Sequence, residues 1–500
     1  MSTTAQIALD PGAALRRSRE DVERAFAMLI DGEWTQASSG EVFSCTDPYT
    51  EESWGRVPQA GSLDVERAVR AARRAFDERG WPQTPPAQRA ALLRRLARLI
   101  EAHAEELTYQ QIRENGKLVA EMRPGSRLLA RACEYFAGLA EGPCGLTVSS
   151  HDFTTYTARQ PIGVVAAITP WNSPLLLLGW KLFPALAAGN TVVVKPSEIT
   201  PTSALMLAQL IAEAGFPPGV VNVVTGHGSP TGAALVAHPG VDKIAFTGST
   251  ATGKRIAQVA AERCARVSLE LGGKSPNILF ADAHLSAAVD GVIAGIFAAS
   301  GQSCMAGSRV LIERGIFGAV AELLVRRARE LAPGDPLDAA TRLGPVASRA
   351  QLAKILGYFE IARGEGLELL TGGARLERRG FFVAPTAYGP ASNRSRVARE
   401  EIFGPVALLI PFDDEDEAVA IANDTHFGLA AGVWTENVRR AHRIAVRLRA
   451  GTVWVNNYRQ VSYAAPFGGF GQSGIGRELG PEALNEYTEV KSVWIDQRAP

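Results

Sequence analysis

The stretch GQSCMAG, 301–307, sets one cysteine, Cys304, among glycine, glutamine and serine. A structural cysteine more often packs as a small hydrophobe. Small and polar neighbours suggest instead a backbone close to a ligand and an accessible sulfur. Such a thiol is a candidate nucleophile, and a nucleophile needs activation, often by histidine. The nearest histidine in sequence is His284, and no Cys-His arrangement is evident. The activating groups have to come from elsewhere in the chain.

Four other stretches carry groups of the right type. In VSLELGGKSPN, 267–277, Val267, Leu269 and Leu271 alternate with Ser268 and Glu270. That alternation turns Glu270 off the apolar face of a strand. Partial burial would raise its pKa and suit it to general base work; an exposed strand-end glutamate is the competing reading. In ITPWNSPL, 168–175, the Asn172 side chain could donate to an oxyanion, while Trp171 and the prolines fit simple turn packing. In TVVVKPSEITP, 191–201, Lys195 and Glu198 follow a buried strand. The carboxyl end of a parallel strand faces the ligand crevice, so the pair either binds ribose hydroxyls or is a solvated loop pair. In AFTGSTATGK, 245–254, a strand runs into a Gly-Ser turn, with Gly253 near a helix start. Such a terminus attracts phosphate. The stretch is neither GxGxxG nor GxxxxGK[ST], since Arg255 follows Lys254, and a plain strand-to-helix turn explains it equally well.

The elements that must position these groups are legible. Residues 63–140 read as helical; Leu92, Leu96, Leu99 and Ile100 fall at helical spacing with arginines opposite. The stretch 151–167 reads as an exposed hairpin arm followed by a buried strand. The apolar runs GVVAAIT, TVVVKPS, VVNVVTG and KIAFTGS each precede a helical segment. Strands alternating with helices predict a parallel α/β sheet with right-handed crossovers. A second, less regular α/β unit follows, with helical runs at 286–300, 316–331 and 349–364 and strands RVLIE, PVALLIPF and TVWVNN. The tail YTEVKSVWID alternates like a strand.

Composition bounds the rest. The chain has 500 residues, 46% hydrophobic and 21% charged, with 52 basic and 52 acidic side chains. That balance suggests no nucleic-acid partner. Cys45, Cys133, Cys144, Cys264 and Cys304 are widely spaced without CxxC, and no HxxxH pair occurs. A disulfide framework and a metal site are therefore not expected, and a reducing compartment is. The N-terminal MSTTAQIALDPGAALRRSRED lacks an apolar signal core. PLLLLGWKLFPALAAG is broken by Lys181 and Pro184 and is too short for a clean membrane span. A cytoplasmic, membrane-free protein is the expectation.

Taken together, PWN, KPSE, FTGST with Gly253, LELGGK, GQSC, EEIFGPV (400–406), NDTHFGLAAGVWT (423–435) and PFGGFGQSGIGRELG (466–480) resemble the NAD(P)-dependent aldehyde dehydrogenase superfamily, over about residues 28–495. The resemblance implies a Rossmann-like parallel-sheet cofactor domain (1–140 and 160–271), a second α/β catalytic domain (272–480) and a small β oligomerisation arm (141–159 and 481–500). It implies Cys304 as nucleophile, Glu270 as general base, and the Asn172 side chain with the Cys304 N–H as oxyanion hole. Lys181 and Glu478 match positions used to relay protons or orient groups. Lys195 and Glu198 match adenosine-ribose contacts. Trp171, Gly228 and Ser249 match positions near the adenine ribose and pyrophosphate. Glu401 and Phe403 match nicotinamide contacts, and Gln351 aligns with another ribose contact. Ile168, Phe246, Gly248 and Leu271 complete the implied cofactor site.

The implied reaction is oxidation of an aldehyde to the free acid through a cysteine thioester that a Glu270-activated water hydrolyses. Glu270 disfavours the alternative, a coenzyme A-acylating semialdehyde dehydrogenase. The absence of a histidine partner disfavours a cysteine hydrolase, and the intact Cys304, Glu270 and Asn172 disfavour a non-catalytic binding protein. Glu198 favours NAD, with NADP as the weaker alternative. The implied tunnel residues are Ser173, Leu177, Trp180, Met305, Arg459, Val461 and Phe467. Ser173 and Val461 stand where many relatives carry aromatics; Arg459 would either favour a carboxylate or other acceptor distal to the aldehyde or be a surface or interface arginine. Gly471-Gln472 replaces a lysine or arginine common in the family. Exposed edge strands in the arm and tail predict an oligomer, and the resemblance implies a homodimer or homotetramer. Cys304 is expected to owe its activation to Asn172, to backbone N–H groups, to the positive nicotinamide and to Glu270 through water.

Overall fold

The computed structural model describes residues 24–142 and 145–498. The N-terminal stretch up to residue 23 and Cys144 lie outside them. Two large sheets, a three-stranded sheet of Arg24–Ala25, Ser53–Pro58 and Val42–Thr46, and a small arm organise the described chain. The first sheet runs, edge to edge, Gly474–Ile475, Arg266–Glu270, Lys243–Thr247, Val164–Ile168, Thr191–Lys195, Val221–Val223, Met28–Ile30, Glu33–Thr35. The five strands from Arg266–Glu270 to Val221–Val223 pair in parallel. Val164–Ile168, Thr191–Lys195 and Lys243–Thr247 are buried along their whole length. Continuous apolar runs are what a sheet covered on both faces requires.

The helices Pro174–Ala188, Pro201–Ala214 and Thr250–Ala261 are the crossovers between these strands. Register then aligns the strand ends: Ile168 pairs with Lys195 and with Phe246, and Thr247 pairs with Glu270. The polar groups singled out in the sequence therefore emerge along one carboxyl edge, where parallel sheets bind ligands.

The second sheet runs Leu369–Thr371, Thr386–Tyr388, Val406–Phe412, Arg309–Glu313, Pro276–Leu279, Ala430–Trp434, Thr452–Val455, with only the Leu369–Thr371 edge antiparallel. The helices Leu285–Ile296, Phe317–Arg329 and Arg349–Gly364 answer the three predicted helical runs. In the arm, Thr488–Asp496 pairs along its full length with Phe153–Pro161, which also pairs with Thr147–Ser149. The arm leaves Leu146, Val148, Trp494 and Ile495 exposed, Trp494 at 69%. Among the described residues, no helix is long and apolar enough to cross a membrane.

Candidate active site

Cys304 lies just beyond the helix Leu285–Ile296, on a loop whose backbone is held in unusual conformations. Ala299 and Ser300 have φ of 55° and 52°, in the left-handed region that non-glycine residues rarely occupy. Two contacts hold them there. The Ser300 hydroxyl donates to Gly344 O at 2.6 Å, and the Ala299 N–H donates to the Glu121 carboxylate. Gly301 follows at φ 71°, where a Cβ would lie 2.0 Å from Gly404 O, so only glycine fits. Phe403 (61°), Arg459 (66°) and Leu479 (63°) share this backbone conformation. Such residues concentrate at functional sites, where surrounding structure over-determines them.

One cavity, of about 160 Å³, gathers Trp171, Asn172, Gly248, Ser249, Leu271, Cys304, Gln351, Glu401 and Phe403, together with Thr247 and Lys354. Trp171 and Phe403 meet edge to face at 5.2 Å across it. Ser249 caps the helix Thr250–Ala261, its hydroxyl accepting from the Thr252 N–H at 3.2 Å. Gly248 packs so closely that a Cβ would lie 2.4 Å from the Phe246 ring. Glu401 accepts the Gly273 N–H at 3.0 Å. Gln351 donates to Ile402 O at 3.1 Å and Phe403 O at 2.8 Å; its amide is committed to holding Phe403 in place.

Other expected cofactor residues lie outside this cavity. Ile168 and Phe246 are buried in the apolar core beneath it. Lys195 and Glu198 sit at the next strand end, joined at 3.7 Å. Lys195 is buried while the Glu198 side chain is 38% exposed, so the pair is solvated only at its carboxylate end. Gly228 opens the turn Gly228–Gly232, and a Cβ there would meet nothing within 4 Å.

Around the sulfur, the Asn172 amide gives one N–H to Gln302 O at 3.1 Å, leaving its second free to donate. The Cys304 backbone N–H has no acceptor among the described residues. Burial, and then the charges of Glu401 and Glu270, push the Cys304 thiol up to about 12, against the Met305 N–H and Arg459. The charge of Glu270 acts directly against the thiolate; the help expected of Glu270 is proton transfer through water, which is separate from that field.

Glu270 itself is buried, which excludes the exposed strand-end reading. Its Oε2 has no hydrogen-bond partner among the described residues. Burial and the nearby Glu478 carboxylate hold its pKa well above the usual range. Lys181, fully buried at 0% exposure, donates to both Glu478 and Thr247. The Glu478 backbone is fixed by reciprocal bonds with Phe467, at 2.6 and 2.8 Å.

On the other flank, Leu177, Trp180 and Phe467 are buried in one apolar cluster against which Cys304, Met305 and Val461 pack. Trp180 and Phe467 stack at 5.4 Å. Ser173 and Arg459 have polar partners of their own. The Ser173 hydroxyl accepts from Lys117 Nζ at 3.1 Å. Arg459 Nη1 donates to Ala294 O and Ala298 O, each at 3.2 Å. That part of its guanidinium is spent on the carboxyl end of a helix.

The family model for the aldehyde dehydrogenase family matches residues 34–493. The chain belongs to the aldehyde dehydrogenase family. It is 44% identical over 473 residues to the aldehyde dehydrogenase of Emericella nidulans, covering 94% of this chain and 95% of that one. To the cytosolic aldehyde dehydrogenase 1 of Rattus norvegicus it is 45% identical over 470 residues, covering 93% and 94%. Its fold superposes on the NAD+ complex of an aldehyde dehydrogenase from Bacillus cereus with a TM-score of 0.95, at 43% identity and covering 98% of this chain and 99% of that one.

Sequence reading missed three residues of this dehydrogenase's site. Lys354 lines the cavity, one helical turn from Gln351 in Arg349–Gly364, a spacing that could have flagged it. Tyr458 donates to Met305 O at 3.0 Å. Lys117, in QIRENGKL, carried no local signal. The unexplained Gly471-Gln472 pair also gains a role. Gln472 Oε1 accepts from Lys254 Nζ at 2.9 Å, and the Gln472 N–H donates to His426 O at 2.9 Å. The pair ties a loop of the second unit to the helix Thr250–Ala261.

Proposed function

We propose that this chain oxidises an aldehyde to the free carboxylic acid with NAD, through a thioester on Cys304. The observation that carries the reading is that Asn172 and an uncommitted Cys304 N–H share one cavity with the sulfur, while a buried carboxylate with an unpartnered oxygen, Glu270, lies near enough for its charge to act on it. The residues fit a nicotinamide dinucleotide. The capped helix N-terminus at Ser249 suits phosphate, the edge-to-face Trp171–Phe403 pair offers apolar surface, and Glu401, Lys195 and Glu198 supply polar contacts. A Cβ at Gly272 would lie 2.5 Å from the Glu401 carboxylate, so glycine keeps that approach open. When bound, NAD supplies the hydride acceptor.

The chain's own groups do the rest. Cys304 adds its sulfur to the aldehyde carbon, and its proton passes to solvent water as the bond forms. The Asn172 amide and the Cys304 N–H hold the oxyanion; one such donor is typically worth about 3–4 kcal/mol. Glu270 takes a proton from the water that cleaves the thioester, and its raised pKa suits that task near neutral pH. This favours release of a free acid over transfer to coenzyme A. Lys181 and Thr247 orient Glu478, whose charge helps set the basicity of Glu270. Glu198 favours NAD over NADP by repelling a 2′-phosphate, a repulsion that Lys195 softens. We place the cofactor domain at 1–140 and 160–271, the catalytic domain at 272–480, and the arm at 141–159 and 481–500. The arm's exposed apolar strands support a homodimer or homotetramer.

Mixing the protein with NAD and a panel of aldehydes and following NADH absorbance tests the reading. NADH should form in wild type and not in Cys304→Ala. Absence of signal with every aldehyde would overturn it.

A further inference from the structure

Lys117 is a buried cation that makes no ion pair among the described residues; the carboxylate of Glu121 acts on it only at a distance. It precedes the helix Val119–Leu139 and is 7% exposed. Its one hydrogen bond among the described residues goes to Ser173 Oγ, leaving two N–H donors uncommitted. The neighbouring Glu121 is spent on backbone: its carboxylate accepts the Leu118 N–H at 3.1 Å and the Ala299 N–H. Arg459 brings a second positive charge to bear on the same place. Both cations are tied to the site's backbone. Ser173 adjoins Asn172, and Asn115 donates to Trp171 O at 3.2 Å. Tyr458, beside Arg459, donates to the carbonyl of Met305, next to Cys304.

Burying an ammonium without a carboxylate is costly, and an arriving anion relieves that cost. Ser173, the one side chain hydrogen-bonded to this ammonium among the described residues, adjoins Asn172, which lines the cavity with Cys304. We propose that Lys117, reached past Ser173 and backed by Arg459, recognises a carboxylate borne by the aldehyde substrate. The proposal rests on the aldehyde-oxidising reading and gives it a substrate class, the short semialdehyde acids. Arg459 acts here as a positioning residue at the carboxyl end of the helix Leu285–Ile296. Burial brings the Lys117 ammonium down to about 8; Glu121 and Cys304 oppose this and Arg459 adds to it. Recognition should therefore fade as pH rises above that value.

The test uses the full chain with NAD and compares kcat/KM for succinic semialdehyde and butanal. In wild type the acid is preferred. Lys117→Met should lower the acid-to-neutral ratio at least about 10-fold, mainly through KM, and Lys117→Arg should restore most of it. The wild-type ratio should fall between about pH 7 and about pH 9.5, while that of Lys117→Arg stays level. Independently of turnover, succinate should slow iodoacetamide alkylation of Cys304 in wild type and not in Lys117→Met. A ratio unmoved by Lys117→Met, or no protection by succinate in wild type, overturns the proposal. Oxidation of butanal without preference for the acid overturns it while leaving aldehyde oxidation standing. If no aldehyde is oxidised, the broader reading falls, and succinate protection still decides the carboxylate site. Should Lys117→Met fail to fold, the wild-type pH profile and protection decide.

Discussion

Lys181 and Lys117 are both buried, and the protein treats them in opposite ways. Lys181 stands in an almost wholly buried helix, where Glu478 neutralises it and Thr247 accepts a further bond. Lys117 has a serine hydroxyl and no ion pair among the described residues. A compensated cation is scaffold: it fixes the carboxylate beside the candidate base. An uncompensated cation stores an electrostatic demand that a ligand can meet. Substitutions at the two positions should therefore differ in sign as well as in size.

The largest effect is expected at Lys181. Lys181→Met strands the Glu478 carboxylate in the interior, which should cost about 3–5 kcal/mol in denaturant unfolding. Adding Glu478→Gln should recover a large part of that. If the single variant is as stable as wild type, the pair is not scaffold. Next comes Lys117. Its pKa is about 8 folded against 10.5 as a model value, so between those values the unfolded chain binds more protons. Stability should then rise with pH across that window, by on the order of 3 kcal/mol. Lys117→Met should remove this slope and, near neutral pH, match or exceed wild-type stability. A destabilised variant with the slope intact would break the comparison.

Glu270 gives the opposite slope. Its folded pKa is raised, so the folded state holds the proton longer. The stability linked to it is full below about 4.5 and is lost as pH rises toward the folded value. Glu270→Gln should abolish that falling component. Smaller still is the effect on thiol reactivity. Glu401 is the first of the charges that raise the Cys304 pKa, so Glu401→Gln should speed iodoacetamide alkylation several-fold, and Glu270→Gln less. Slower alkylation in both would restore the idea that these carboxylates help ionise the sulfur. The smallest effect is at Gln472, whose bond to Lys254 is exposed. Gln472→Ala should change stability by no more than about 0.5 kcal/mol.

The alternating apolar runs made the first sheet legible, because strands covered on both faces cannot hide their pattern. Cys304, Asn172 and Glu401 were legible because their motifs are local. Burial was not. The alternation in VSLELGG leaves a partly buried and an exposed Glu270 both open; the strand Arg266–Glu270 is capped by an antiparallel edge formed by Gly474–Ile475, far off in sequence. Arg459 reads as a free cation until the fold brings the Ala294 and Ala298 carbonyls beneath it. Lys117 was invisible for the same reason. Its meaning depends on Ser173, and only the packing of the helix Ala104–Asn115 against the Trp171 loop brings them together.

The most direct test of covalent aldehyde oxidation is mass spectrometry of Glu270→Gln after brief mixing with NAD and an aldehyde. Hydrolysis should be slowed by about 10²–10⁴-fold, so the peptide holding Cys304 should carry the acyl group as a thioester. The account predicts that adduct on Cys304, absent without NAD and short-lived in wild type. NADH formation with no adduct on Cys304, or an adduct on another residue, would contradict it.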